Sequence, residues 1–442
     1  MLSPTRSAAF DILMRVEQGA FADELLHSER LDKLTPADRS LCMEIVMGVL
    51  RWRSQLDDTI ASWSKMPPQK LDPEVITALR MGVYQLVHLE RVPAHAAVDQ
   101  TVELVKRAGR RFSAPMVNAV MRKIAASKPS PPTSPEAEGS LDQLASATAH
   151  PRWLLQRWEA EYGIEGARQI AHYDQQIPVP ALRLRDPETE NHLRGEGIEL
   201  APGELVAGAR RVISGDVNKT RVFAEGRAYL QDEASQLVAL LVGHGTRILD
   251  CCAAPGGKTS VIAERNPSAV VVAAELHPAR ARLTRRLVRA RNVFVIAANA
   301  EALPLMPNFD RVLADVPCSG TGTLARNPEI KWRRRAEDFL VLHGRQVSIL
   351  RAALGNLVSG GRLVYSTCSL EREENDDVVV AEVLAGRSDL SLLDCRDELQ
   401  RLKDEGELVW DDLDSLLRGK FLRTLPGVHP CDGFFAAVIE HL

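Results

Sequence analysis

Two cysteines stand in the sequence contexts that most favour chemistry. Cys318 lies in the run DVPCSGTG and Cys368 in the run STCS, and each run follows a short apolar stretch that predicts a strand. The other five of the seven cysteines (42, 251, 252, 395 and 431) complete no CxxC pair and no zinc-type Cys/His spacing, so no metal site is expected. A thiolate is a strong nucleophile, and two thiols at neighbouring strand ends predict covalent catalysis.

A glycine-rich turn follows another predicted strand, which ends at Asp250. Small residues and paired glycines let a ligand approach the backbone, and the helix after them offers free N–H groups. The run ends in Gly-Gly-Lys-Thr and so resembles a phosphate loop, but Cys252 stands where that motif requires glycine, which disfavours a nucleotide triphosphatase. The residues predicted to bind a nucleoside cofactor here are Cys252, Ala253, Ala254, Pro255, Gly256, Gly257 and Lys258.

Three more polar residues fall at the ends of successive predicted strands. Glu275 ends the second strand, Asn299 follows the third, and Asp315 ends the fourth. A carboxylate at the second strand end can accept hydrogen bonds from both ribose hydroxyls of a nucleoside, and an amide at the third can meet the adenine edge. Together with the glycine turn, this ordered series predicts a site for S-adenosyl-L-methionine (AdoMet).

The combination of a thiol pair with a methyl donor points to one reaction. Carbon 5 of cytosine is a poor nucleophile, but thiolate attack at carbon 6 saturates the 5,6 bond and pushes electron density onto carbon 5. An acid at N3 stabilises that adduct, and Asp315 is placed to act there. The base must leave its stack to reach such a pocket. From the residues alone, either cysteine could be the attacking one.

The elements that must position these residues form an α/β domain. Apolar runs at 246–249, 269–274, 293–297, 311–314 and 361–365 alternate with helical stretches, which predicts a parallel, doubly wound, Rossmann-like sheet. Ligands of such sheets bind beyond the carboxyl ends of the strands. The predicted domains are an all-α bundle (1–127), a proline-rich linker (128–140), a small α+β module (141–235) and the α/β domain (236–442).

Charge and hydropathy restrict the partners. The 442 residues carry a formal net charge of −4, so any nucleic-acid site must be a local patch. Arginines cluster at 280–291, and basic residues follow NPEI at 331–335; such runs are usually solvated faces, but their position favours RNA contact. The N-terminus lacks a signal-peptide apolar run, and no window approaches a membrane span, so we expect a cytoplasmic protein that does not bind membranes and is monomeric.

Four motifs carry a family resemblance. CAAPGGKT, ADVPCSGTGT, NPEIKW and YSTCSLEREEN resemble the motifs of the NOL/NOP/Sun family of RNA cytosine-C5 methyltransferases, and the helical N-terminal region is similar to the RNA-binding fold of NusB. The resemblance runs over nearly the whole chain. It implies that Cys368 is the nucleophile, that Cys318 assists product release, and that residues 252–258, Glu275, Asn299 and Asp315 contact AdoMet. Asn299 stands where the family commonly has aspartate, which leaves its contact open.

The resemblance also implies a substrate. We expect small-subunit (16S) rRNA, naked or early in assembly, to be the partner, because a NusB-like region accompanies the catalytic motifs. Two alternatives stay open: a tRNA cytosine-C5 methyltransferase, and a non-catalytic scaffold that only binds RNA. The intact Cys318, Cys368 and Asp315 argue against the scaffold.

Overall fold

The computed structural model describes residues 2–28, 31, 33–127 and 140–442. These residues form two compact units, each made of two chain segments. The helical unit comprises Met1–Gln176 and Leu324–Arg333, and the sheet unit comprises Ile177–Thr323 and Arg334–Leu442. The predicted linker lies, apart from residue 140, outside the described residues. The structure groups residues 141–176 with the N-terminal helices, whereas the sequence assigned them to the middle module.

The helical unit is built from amphipathic helices that bury one face, around the helix Pro73–His88, in which every residue from Val75 to Gln85 is buried. Pro4, Pro36 and Pro73 occupy first-turn positions, where a missing N–H costs nothing, and the Thr35 hydroxyl accepts the N–H of Asp38 as an N-cap. The helices are α1 (Pro4–Glu17), α2 (Ala22–Leu26), α3 (Pro36–Arg51), α4 (Arg53–Ser64), α5 (Pro73–His88), α6 (Ala94–Arg107), α7 (Ala114–Ala126), α8 (Leu141–Ala147) and α9 (Arg152–Tyr173). The predicted all-α bundle is confirmed.

The end of α8 and the start of α9 belong to this bundle for a physical reason. The Gln55 side chain of α4 donates to the carbonyls of Ser146 and Ala147, at 2.6 and 2.9 Å. Trp158 of α9 is fully buried and meets the ring of His150 edge-on. These are tertiary contacts, which composition cannot reveal.

The sheet unit begins with a small α+β portion. Strands β1 (Ala181–Leu184), β2 (Glu199–Pro202), β3 (Ala209–Ser214) and β4 (Ala228–Leu230) pair antiparallel in the order β2-β3-β1-β4. Helices α10 (Glu188–Gly195) and α11 (Arg221–Ala224) accompany them. Their small core includes Leu182, Leu193, Val212 and Val222. The predicted small α+β character of this region is confirmed.

The large sheet carries the predicted Rossmann-like core. Strands β5 (Arg247–Asp250), β6 (Val270–Glu275), β7 (Val293–Ala297), β8 (Phe309–Asp315) and β9 (Leu357–Thr367) are mutually parallel, in the order β9-β8-β5-β6-β7. Strand β13 (Phe434–His441) pairs antiparallel with β9, and β10 (Leu390–Leu393), β11 (Leu417–Arg418) and β12 (Phe421–Thr424) extend that side. The fold class is confirmed, but the sheet is mixed rather than wholly parallel.

Helices cover both faces of this sheet, as its parallel strands require. They are α12 (Glu233–Leu241), α13 (Gly257–Arg265), α14 (Pro278–Leu287), α16 (Ala336–Leu354) and α17 (Cys395–Asp404), with a π-helix at Asp377–Leu384. The arginine cluster at 280–291 predicts a single basic helix, but α14 ends at Leu287, so Arg289 and Arg291 lie beyond it. In the described part of the chain, no helix is both long and apolar enough to cross a bilayer.

The segment Leu324–Arg333, with helix α15 (Ile330–Arg333), belongs to the helical unit although it follows the Cys318 loop in sequence. Lys331 is 1% exposed, and its ammonium group donates to the carbonyls of Arg51 and Ala149, at 2.9 and 3.0 Å. The indole N–H of Trp332 donates to the carbonyl of Leu50 at 2.6 Å. The expectation that this segment contacts RNA is therefore wrong for Lys331, whose charge is committed to backbone carbonyls.

Candidate active site

The parallel strands gather the predicted site at one edge of the sheet. Adjacent strands β9, β8, β5, β6 and β7 all point the same way, so their carboxyl ends lie side by side. The loops that leave these ends contain all the predicted site residues. They are Cys368 after β9, Asp315 and Cys318 at β8, residues 252–258 after β5, Glu275 at the end of β6, and Asn299 after β7.

The two cysteines meet. The sulfur atoms of Cys318 and Cys368 are 3.2 Å apart, and both side chains are partly exposed. The N–H of Gly322 donates to the carbonyl of Cys368 at 2.9 Å, which holds the two loops together. The hydrogen bond with Cys368 and burial both raise the pKa of the Cys318 thiol well above its usual range. Cys318 is therefore held as a neutral thiol beside its partner.

A partly buried ion pair lies near Cys368. The Lys258 ammonium group lies 2.8 Å from Oδ2 of Asp315, and the hydroxyl of Ser366 donates to Oδ1 at 2.8 Å. The same ammonium group lies 4.9 Å from the ring centre of Phe434, within cation–π range. Burial opposes the charge on Lys258, but attraction to Asp315 and, less strongly, to Cys368 outweighs burial and raises its pKa. A fixed positive charge thus stands close to the Cys368 sulfur.

The glycine turn has the conformation that its sequence predicts. Gly256 has φ +111°, and a Cβ atom there would lie 2.4 Å from a methyl carbon of Val288, so only glycine fits. The Thr259 hydroxyl donates to Asp250 at 2.6 Å, which ties the first turn of α13 to the end of β5. Burial raises the pKa of Asp250 to about 6. The turn is therefore held rigidly, with the N-terminus of α13 behind it.

Glu275 and Asn299 lie at the ends of the next two strands. The Glu275 side chain is 7% exposed and accepts the N–H of His277 at 2.9 Å, with the guanidinium of Arg280 at 3.8 Å. Asn299 is exposed, and its side-chain oxygen accepts the N–H of Glu301 at 3.0 Å. Cys318 contacts Cys368 directly, and Lys258 contacts Asp315 directly. Glu275 and Asn299 lie at the same edge of the sheet because their strands, β6 and β7, are neighbours of β5.

Sequence reasoning missed the groups that fix the cysteine loops. Arg334 donates to the carbonyls of Cys318 and Ser319, at 3.2 and 3.0 Å. The Glu374 carboxylate is fully buried and accepts the N–H of Ser319 at 2.8 Å. The available signal was the position of Glu374 inside the YSTCSLEREEN motif, where charged residues follow a buried strand.

The surroundings of the site are rich in arginine. All six arginines of the run at 280–291 are exposed, as a solvated face or an RNA-binding face requires. Among residues 2–28, 31, 33–127 and 140–442, no group of three or more His, Cys, Asp or Glu side chains is arranged to hold a metal ion.

Comparisons with known proteins agree with this architecture. Residues 237–440 match the family described as 16S rRNA methyltransferase RsmB/F, and residues 3–126 match the NusB family. The chain is 34% identical over 393 residues to the "Probable ribosomal RNA small subunit methyltransferase B" of Bacillus subtilis, covering 85% of this chain and 87% of that protein.

Solved structures share the fold. A methyltransferase homolog protein of Pyrococcus horikoshii aligns with a TM-score of 0.56 and 26% identity, covering 69% of this chain and 100% of that one. NSun6 of the same organism, solved with SFG, aligns with a TM-score of 0.57 and 19% identity over 66% of this chain and 98% of that one. The fold and site define a methyltransferase with a NusB-type helical region. The chain belongs to the 16S rRNA methyltransferase RsmB/F family, which confirms the resemblance predicted from its motifs.

Proposed function

We propose that this chain transfers a methyl group from AdoMet to carbon 5 of a cytosine in 16S rRNA, through a covalent adduct between Cys368 and carbon 6 of the ring. The observation that carries the proposal is the 3.2 Å separation of the Cys318 and Cys368 sulfur atoms beside the Lys258–Asp315 pair. The family match and the relative from Bacillus subtilis support rRNA as the substrate.

The residues present fit AdoMet. Gly256 and Gly257 carry no side chain, which lets a nucleoside approach the backbone of the turn closely. The Gln231 side-chain oxygen is buried without a hydrogen-bond partner among the described residues. SFG, an AdoMet analogue, accompanies the structurally similar NSun6. Residues 252–258 and Glu275 would hold AdoMet, which when bound supplies an electrophilic methyl group.

The chain's own groups perform the remaining steps. The Cys368 sulfur attacks as a thiolate and forms a C–S bond to carbon 6 as the 5,6 double bond opens. The negative charge that develops on the ring is met by a proton shared within the Asp315–Lys258 pair and delivered toward N3. After carbon 5 gains the methyl group, it loses its proton to a base. The electron pair of that C–H bond re-forms the double bond and expels the Cys368 sulfur, and N3 returns its proton to the Asp315–Lys258 pair.

Cys318 is assigned to product release. It lies 3.2 Å from the sulfur that must leave, and the raised pKa keeps it protonated until the adduct forms. As a neutral thiol, Cys318 can donate its proton to the Cys368 sulfur as the bond between that sulfur and carbon 6 breaks. Loss of Cys318 should therefore block elimination but not attack.

The partner and compartment follow from the same proposal. We place the RNA backbone along the exposed arginines of 280–291, with 16S rRNA, naked or early in assembly, as substrate for a cytoplasmic monomer. The target cytosine is flipped out of its stack to reach the thiols.

The direct test is methyl incorporation. The purified chain is incubated with tritiated AdoMet and unmodified 16S rRNA or tRNA transcripts, and the product nucleosides are separated. We expect 5-methylcytidine in 16S rRNA and none with the Cys368→Ala variant. Incorporation confined to tRNA would favour the tRNA alternative, and no incorporation into either RNA would favour a binding scaffold.

A further inference from the structure

One buried carboxylate links the two cysteine loops. Oε2 of Glu374 accepts the hydroxyls of both Ser319 and Ser369, whose oxygens lie 3.0 Å apart. Oε1 accepts the N–H of Ser319 and the side-chain amide of Gln346, each at 2.8 Å. Glu374 is 0% exposed. A single side chain therefore satisfies four donors that come from three separate chain segments.

The two serines are significant because of what precedes them. Ser319 directly follows Cys318, and Ser369 directly follows Cys368. One carboxylate oxygen thus binds the residue after each thiol, although the two loops are 50 residues apart in sequence. We call Ser319, Ser369 and Glu374 the serine–glutamate clasp.

The clasp is anchored to strand β9 rather than to the ligand-binding edge. The main-chain carbonyl of Glu374 accepts the Tyr365 hydroxyl at 2.6 Å. The neighbouring Asn375 accepts the Thr367 hydroxyl at 2.6 Å and donates to the carbonyl of Ser369 at 3.0 Å. Because these partners belong to the strand and the loop themselves, the position of Glu374 does not depend on a bound substrate.

The choice of a carboxylate at this place has a chemical reason. All four groups that face Glu374 are donors, and an ionised carboxylate is an acceptor at both oxygens. Glutamine has the same shape, but its amide offers only one acceptor oxygen, so at least one of the two serine hydroxyls would have to rotate and accept a hydrogen bond instead. Burial of a carboxylate is costly unless hydrogen bonds satisfy it, and charge-assisted bonds are the strongest available.

We propose that Glu374 is a positioning residue that sets the separation of the Cys318 and Cys368 thiols through Ser319 and Ser369. The proposal rests on the proposed function for its kinetic consequence, but the geometry of the thiol pair can be measured independently. It assigns no contact with RNA or AdoMet to Glu374.

The kinetic test compares Glu374→Gln with Glu337→Gln, an exposed control on α16. Because displacement of a reacting group by about 1 Å costs about 100-fold in rate, we expect Glu374→Gln to lower kcat by about 10- to 100-fold. The KM for RNA and the Kd for AdoMet should stay within about twofold, and Glu374→Asp should recover part of the loss. In a Ser319→Ala/Ser369→Ala variant, the additional change Glu374→Gln should lower kcat by less than about threefold, because the hydrogen bonds between Glu374 and the two serine hydroxyls are already gone.

The second test measures the thiol pair without any methylation. Phenylarsine oxide condenses with two thiols to form two As–S bonds and one water, and it requires both sulfur atoms within reach of one arsenic atom. We expect Glu374→Gln and the double serine variant to weaken its binding about tenfold, and Cys318→Ala to give the baseline for the remaining cysteines.

The outcomes separate the two proposals. Unchanged kcat and unchanged arsenical binding in Glu374→Gln overturn the clasp. If Glu374→Gln does not fold, wild-type values in the double serine variant, which lacks only two hydroxyls, overturn it instead. Weakened arsenical binding in an enzyme that forms no 5-methylcytidine supports the clasp and contradicts the proposed function.

Discussion

The buried lysine of the helical unit makes a quantitative prediction about stability. The Lys331 ammonium group donates to two carbonyls and lies 5.5 Å from the ring centre of Trp332. Burial is the largest influence and lowers the pKa of Lys331 to about 7, while Asp174 raises it and Arg51 lowers it by smaller amounts. His150, which lies 3.3 Å from Asp174, is also close to Lys331, whose charge helps to lower the pKa of His150 after the larger effect of burial.

The sign of the pH dependence follows from which state holds the proton. With an ordinary value of 10.5 in the unfolded chain and about 7 in the folded one, the unfolded state binds more protons between pH 7 and pH 10.5. The free energy of unfolding therefore rises with pH across that window. From these two values, Lys331 lowers stability by about 4 kcal/mol at pH 7 and by about 2 kcal/mol at pH 9.

The Lys331→Met variant removes this penalty together with two hydrogen bonds. Each buried carbonyl left without a donor costs about 1 to 3 kcal/mol, so gain and loss nearly cancel at pH 7. At pH 9 the penalty that is removed is smaller by about 2 kcal/mol. The variant should therefore lose about 2 kcal/mol of stability relative to wild type as the pH rises from 7 to 9.

Urea unfolding of the full chain, followed by tryptophan fluorescence, measures this difference. Five of the six tryptophans (52, 63, 153, 158 and 332) lie in the helical unit, so the signal reports on that unit. Lys123→Met, at an exposed position of α7, is the matched control and should show no such trend. A difference between Lys331→Met and wild type that stays constant from pH 7 to pH 9 would refute the lowered pKa of Lys331.

Two further predictions concern the sheet unit. A Cβ at Gly322 would lie 2.2 Å from the carbonyl oxygen of Gly433, so Gly322→Ala should displace the Cys318 loop and lower methylation about 100-fold. At the control position, Gly344, an added Cβ would meet no atom within 4 Å. Gly344→Ala should therefore leave activity unchanged in the same assay. Glu275→Gln should raise the Kd for AdoMet about tenfold or more in calorimetry, because a ribose-binding carboxylate is lost. The kcat at saturating AdoMet should change by less than about twofold. An unchanged Kd would show that Glu275 is not part of the cofactor site.

The sheet was predictable because its strands are short apolar runs that end in turn residues. The run at 293–297 is strand β7 as predicted, and Asp250, Glu275 and Asp315 each end the strand assigned to them. Parallel strands share one carboxyl edge, so the sequence alone could bring Cys318 and Cys368 together. The positions of these strands and the meeting of the two cysteines both follow from the local sequence pattern.

Other features depend on tertiary packing, which local pattern does not encode. Lys331 reads as a surface cation, yet it is buried because carbonyls of Arg51 and Ala149 receive its protons. Glu374 reads as part of a solvated charge run, but two serines from distant loops converge on it. The antiparallel pairing of β13 with β9 likewise joins residues more than 60 positions apart.

The covalent role of Cys368 is the central claim, and trapping the adduct tests it most directly. Cys318→Ala, incubated with AdoMet and unmodified 16S rRNA, should accumulate a protein–RNA species that survives a denaturing gel and disappears in the Cys318→Ala/Cys368→Ala double variant. Accumulation of that species by Cys368→Ala and not by Cys318→Ala would contradict the account, since Cys318 would then be the attacking thiol.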